Sequence, residues 1–281
     1  MIILIHFLPV TFYAEVKTIG TPAVRNYDNS IVQAGTQTWM IDIGANGLAY
    51  FANNDGVLEF DGLNWRVYPL LNRTVVRSVL ATDGGRIYAG GYNEFGYFEP
   101  NQNGQLVYYP LQHLVSDRFG DFDEVWKIFE LNGQIVFQTF TQIMVYQNET
   151  IKVVEAPYMF HFSFLVNDVI YVNDQRHGLF RLTDDGPVSL KGTERLKGEL
   201  IWTMLPFGDE ILISATNQGI FTYNGTDLFE WENEASALLL ENQVFCGLQL
   251  EDSNYAFGTI QDGLIICDSN GNLIQVTKLM Q

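Results

Sequence analysis

A unit of four short β-strand signals recurs six times along this chain, and that recurrence constrains the fold more than any other feature. The first copy is the clearest, Trp39 to Trp65, WMIDIGANGLAYFANNDGVLEFDGLNW. Its apolar runs Trp39–Ile41, Leu48–Phe51 and Val57–Phe60 are separated by Gly/Asn/Asp clusters, and a fourth run, Trp65–Tyr68, follows. Those turn residues tolerate the positive φ of tight hairpins, so the unit reads as an antiparallel meander. Ends of the second strand fall at Ala52, Gly90, Gln138, Asn173, Ser214 and Gly258, at intervals of 38, 48, 35, 41 and 44 residues. Four strands per period of about 40–45 residues is the pattern of a β-propeller blade. In five copies a glycine follows (Gly56, Gly96, Gly178, Gly219, Gly263) and then another apolar strand; the third copy, TFTQIMVYQN, lacks it. The expected fold is an all-β propeller of four-stranded antiparallel blades. Six blades are visible, and an incomplete or seven-bladed ring remains open.

Composition agrees. Of 281 residues, 47% are hydrophobic and 14% aromatic, while only 17% are charged; the ordinary charged share is about 25%. That excludes a disordered chain. Acidic residues outnumber basic ones 33 to 15, a net charge of −18. Such a balance repels phosphate backbones and anionic lipid, so nucleic acid is not an expected partner of this segment.

The interval ENEASALLLEN has low β propensity and is expected to make a short helical turn before the sixth blade. The two cysteines, Cys246 and Cys267, fall on the first and third strands of that blade. Strands one apart are about 4.8 Å away, so the pair lies beyond the roughly 7 Å that a disulfide allows. Two buried free thiols are expected. The longest connector, Leu111–Glu124, is rich in carboxylates, but its spacing does not match a calcium loop, and it reads as a solvated acidic loop.

Residues 20–110 carry a resemblance to a known family. The lead-in GTPAVRNYDNSIVQAGTQTW and the follow-on VVRSVLATDGGRIYAGGYNEFGYFEP look like the start of the two-component-regulator-propeller, or three-Y-domain, sensors of the Bacteroidetes type. Over residues 111–281 the similarity is one of pattern. The family resemblance implies an exported sensing propeller, followed in such proteins by a small β-sandwich, a membrane helix and a kinase or DNA-binding output. Membrane anchoring would then come only through that downstream region. MIILIHFLPVTFYA is too short to span a bilayer and resembles the core of a signal peptide, so residues 1–19 are expected to be a leader and 20–281 the propeller. The expected location is periplasmic. The implied ligand is an oligosaccharide or similar small molecule; a homodimer is the other partnership considered.

No motif for catalysis stands out. The four histidines are not at metal-ligand spacing, and there is no His-Glu-x-x-His, Cys-x-x-Cys, nucleophile elbow, P-loop or dinucleotide fingerprint. A non-enzymatic segment without cofactor or metal is expected; rivals are a polysaccharide-acting propeller enzyme and a protein-binding scaffold. Repetition does supply a set of equivalent loops, those joining second to third strands on one rim. The first holds Asn53, Asn54 and Asp55, and the second Tyr92, Asn93, Glu94 and Phe95. Gln142 belongs to the third, Gln175, Arg176 and His177 to the fourth. Asn217 and Gln218 lie in the fifth, Gln261 and Asp262 in the sixth. Amides and carboxylates hydrogen-bond sugar hydroxyls and aromatic faces stack on sugars, although Asn and Asp are favoured in tight turns for backbone reasons as well.

Overall fold

The computed structural model describes residues 25–261 and 263–277 and shows a six-bladed β-propeller. Six separate four-stranded sheets follow one another, and in each the strands pair in chain order, all antiparallel. The inner strands, in order, are Thr38–Ile43, Val76–Ala81, Lys127–Leu131, Phe160–Val166, Ile201–Phe207 and Val244–Gln249. The third blade, weakest in the sequence, is a regular sheet whose third strand is Gln142–Gln147. Gly56 shows why its position favours glycine. Its φ is +139°, and a Cβ there would come within 2.5 Å of the Tyr68 carbonyl oxygen on the outer strand. Leader residues 1–19 lie outside the described part.

Two sequence expectations change in scale or character. The ENEASALLLEN interval forms a nine-residue helix, Glu234–Asn242, started by a reciprocal cap in which Asn233 and Ser236 satisfy each other's backbone N–H. The 111–124 connector is not simply a solvated acidic loop. It contains two short 3₁₀ turns, Gln112–Leu114 and Asp117–Phe119, and buries Phe122. Its Asp123 accepts from the Phe140 N–H and Thr141 hydroxyl, so it braces the neighbouring blade.

Packing between blades accounts for the assembly. Apolar residues alternate along each strand, so each sheet has two faces to bury against its neighbours. Five cores do this, between blades one and two, two and three, three and four, four and five, and five and six. No such core joins the sixth blade to the first among the described residues. At that junction Ile41 of the first blade is 55% exposed, whereas its equivalents Val79, Ile128 and Met204 are 0%, 1% and 3%. Leu248 of the sixth blade is 62% exposed, and its equivalent Leu205 only 8%. Tyr27 partly covers the first blade's free face, edge-on to Phe60 and Trp65 at 5.2 and 5.5 Å.

These exposures set a stability contrast. Ile128→Ala should cost about 2–4 kcal/mol through lost burial and the cavity left behind, and Ile41→Ala under about 1 kcal/mol. Denaturant unfolding of the two variants checks it.

Candidate functional site

At the start of the inner strands, the pairing with the second strand slips by one residue in five blades. The slips lie between Thr38 and Met40, Val76 and Ser78, Phe160 and Ser163, Ile201 and Thr203, and Val244 and Cys246. A bulge removes a residue from the ladder and re-aims its side chain. The residues so displaced are Trp39, Arg77, His161 with Phe162, Trp202 and Phe245; Trp126 stands just ahead of the third blade's inner strand. Their rings meet across blade boundaries.

Trp39 lies 5.9 Å from Trp126, with Arg77 of the intervening blade beside both, 3.9 and 5.0 Å from the two ring centres. Trp126 stacks on Phe140 at 5.3 Å and 23° and approaches Phe162 at 5.9 Å. Phe162 is 5.6 Å from Trp202, which is 5.0 Å from Phe245. The result is an aromatic arc running around the channel mouth from blade one to blade six, using three of the chain's five tryptophans. Indole N–H groups fix two of them, Trp39 donating to Asn54 Oδ1 at 2.9 Å and Trp202 to Thr216 Oγ1 at 2.8 Å. Beside Trp202 a cavity of about 160 Å³ opens between blade five and the helix, walled by Thr216, Leu239, Leu240 and Ile260.

Basic groups sit within the arc. Lys127 places its ammonium 5.1 Å from the centre of Phe162, and burial holds it below the ordinary lysine value, with Cys246 acting in the opposite sense. His161 is buried; its Nδ1 donates to the Ile201 carbonyl at 3.0 Å, since a carbonyl can only accept. Burial pushes its pKa down to about 4, and the charge of Lys127 adds to that.

The loops named from the sequence share this rim and divide by role. Asn53 is buried and donates to the carbonyls of Gly35 and Gln37, tying the lead-in to blade one. Glu94 is buried and accepts from the Leu71 and Asn72 N–H groups, and Phe95 is core. Gln142 donates to Phe119 O and Gln175 to Phe160 O. Asn93 is spent on Asp121 and Phe122, and Asn217 and Gln218 hold Glu199. Those presented to solvent are Asp55, Tyr92, Arg176, His177, Gln261 and, alongside its bond to Glu199, Asn217. Arg176 stacks over Tyr158 at 3.8 Å, and His177 bonds Asp174 at 2.8 Å. Asp262 lies outside the described residues. The arc itself was missed, although aligning the six inner strands would have put Trp39, Arg77, Trp126, His161, Trp202 and Phe245 in one column.

The cysteines are free, but only Cys267 is buried; Cys246 is exposed. The expectation of two buried thiols fails because, among the described residues, no buried core joins blade six to blade one.

No known family's sequence model matches the chain, and no curated protein matches it by sequence. Solved structures do. Virginiamycin B lyase from Staphylococcus aureus superposes with a TM-score of 0.68 at 14% identity, over 88% of this chain and 86% of that one. The extracellular domain of a hybrid two-component system from Bacteroides thetaiotaomicron gives a TM-score of 0.65 at 14% identity. It covers 89% of this chain, which spans only 34% of that domain. The WD40 propeller of Doa1 gives 0.66 at 13% identity, over 88% and 84% of the two chains. At these identities the likeness establishes the propeller fold. The second neighbour is of the regulator type that residues 20–110 resemble.

Two measurements follow. A thiol reagent should modify Cys246 in the native protein and Cys267 only after unfolding, read as one fast equivalent and one denaturant-dependent equivalent. The second concerns acid. With a folded pKa near 4 against an ordinary 6.5, His161 binds fewer protons folded than unfolded between those values. Stability should therefore fall as pH drops through that window, by on the order of 3 kcal/mol in total. His161→Gln should flatten the slope of unfolding free energy against pH there.

Proposed function

We propose that this chain is the sensing propeller of a membrane-spanning regulator, acting on the extracytoplasmic (periplasmic) side by binding a small ligand, with oligosaccharides the first class to test. The observation that carries the reading is the aromatic arc. Rings from blades one, three, four, five and six and the Arg77 cation of blade two converge at one channel mouth, where several blades can hold one molecule. Aromatic faces offer large contact area at low entropic cost and suit the apolar face of a sugar ring. The exposed rim residues Tyr92 and Arg176 would grip the ligand's outer portion. The sequence resemblance and the shared fold with a two-component extracellular domain support the sensing role. Among the described residues no helix is long and apolar enough to cross a membrane, so anchoring would belong to sequence outside them. Binding is proposed here rather than turnover; the lyase likeness is one of fold.

Calorimetry against a panel of oligosaccharides tests it. Trp126→Ala and Trp202→Ala should each weaken binding by about 1–3 kcal/mol, and Tyr92→Ala and Arg176→Ala by a similar or smaller amount with little change in melting temperature. Unchanged affinity in all four, with a binding sugar in hand, would move the site away from this mouth.

A further inference from the structure

We infer that the ligand of the aromatic arc is an anionic glycan, whose carboxylate or sulfate is received by Lys127 and Arg77 while its ring stacks on the tryptophans. This rests on the sensing reading above and names the class of molecule sensed.

The argument is one of uncommitted charge. The chain carries 33 acidic residues against 15 basic ones, yet the Lys127 ammonium sits beside the Phe162 ring with neither ion pair nor hydrogen bond among the described residues. It lies half-buried on the inner strand of blade three, under Phe162 and across from the exposed thiol of Cys246. Arg77, wedged between Trp39 and Trp126, reaches one carboxylate, Glu124 at 3.3 Å, and its Nε is buried without a partner. The Trp126 indole N–H beside it is also buried without a partner. These are donors left unmatched in a place where water is partly excluded, which is costly unless something accepts from them.

The acidic groups of the same rim show the opposite condition. Glu94 is held by two backbone N–H groups, and Asp123 by Phe140 and Thr141. Asp174 accepts from Tyr158, Met159, Arg176 and His177, and Glu199 from Asn217 and Gln218. Exposed Asp55 is the exception. The rim's negative charge is thus largely consumed in holding loops, and the inner wall presents cations with spare hydrogen-bonding capacity. A neutral sugar would leave Lys127 unmatched; an acidic one would pair it in a site where Coulomb attraction is less screened than at the surface. Carboxylate and sulfate share the needed chemistry, so the experiment separates them.

Titration calorimetry on the whole chain would use four probes of equal length: an oligogalacturonate, a sulfated galacto-oligosaccharide free of uronic acid, and neutral galacto- and malto-oligosaccharides. One or both acidic probes should bind, with affinity falling as salt rises. Lys127→Met should lower that affinity at least tenfold, and Lys127→Arg should retain most of it, near-ultraviolet circular dichroism confirming that both variants are folded. Binding of the galacturonate alone assigns a carboxylate, and of the sulfated galacto-oligosaccharide alone a sulfate-bearing sugar. If a neutral probe binds as well as the acidic ones and Lys127→Met leaves it unchanged, the charge inference is overturned. Loss of that neutral binding in Trp126→Ala would then leave the sensing reading standing. If no acidic probe binds, the inference is overturned outright.

Discussion

The structure depends on one requirement, that a four-stranded sheet must bury two apolar faces and cannot do so alone. Each blade meets it by lying against the next, and the five cores between successive blades are the outcome. Because every core is shared by two repeats, stability passes along the series by nearest-neighbour contact. The sixth-to-first junction lacks such a core among the described residues, which explains why Ile41, Leu248 and Cys246 are exposed at positions that are elsewhere covered.

The same radial arrangement creates the site. Inner strands converge on one axis, so a local irregularity repeated in five of the six blades, with Trp126 just ahead of the remaining inner strand, becomes a ring of neighbours in space. The bulge near the start of the inner strand is that irregularity. It takes a residue out of the ladder and turns it toward the mouth, where Trp39, Trp126, Phe162, Trp202 and Phe245 come together from positions far apart in the chain. Rim loops contribute mainly by support. Asn54 and Thr216 orient two indoles, while buried Asn53, Glu94 and Gln142 pin the connecting segments.

Electrostatics at the mouth runs against the charge of the whole. An acidic surface keeps the molecule soluble and away from polyanions in general. Inside the arc, Arg77 and Lys127 are held among rings, where a specific anion would meet them with less competition from solvent. His161, kept neutral by burial, adds no positive charge of its own to that wall near neutral pH.

Local signals were enough to establish much of this protein. The spacing of Ala52, Gly90, Gln138, Asn173, Ser214 and Gly258 showed six repeats and their strand order, because hairpin chemistry and alternation act over a few residues, while ring size was left to the packing of blades. The rim carrying the second-to-third-strand loops also followed, since chain direction alternates in a meander. Separation of Cys246 and Cys267 by an intervening strand correctly left both thiols free. Which rim residues face solvent did not follow, because an Asn or Glu in a turn looks alike whether it bonds backbone, as Asn53 and Glu94 do, or remains free. Nor did the arc or the exposure of Cys246. Those depend on which sheet lies beside which, and on the one-residue slips that re-aim side chains, and only the packed ring of blades sets these.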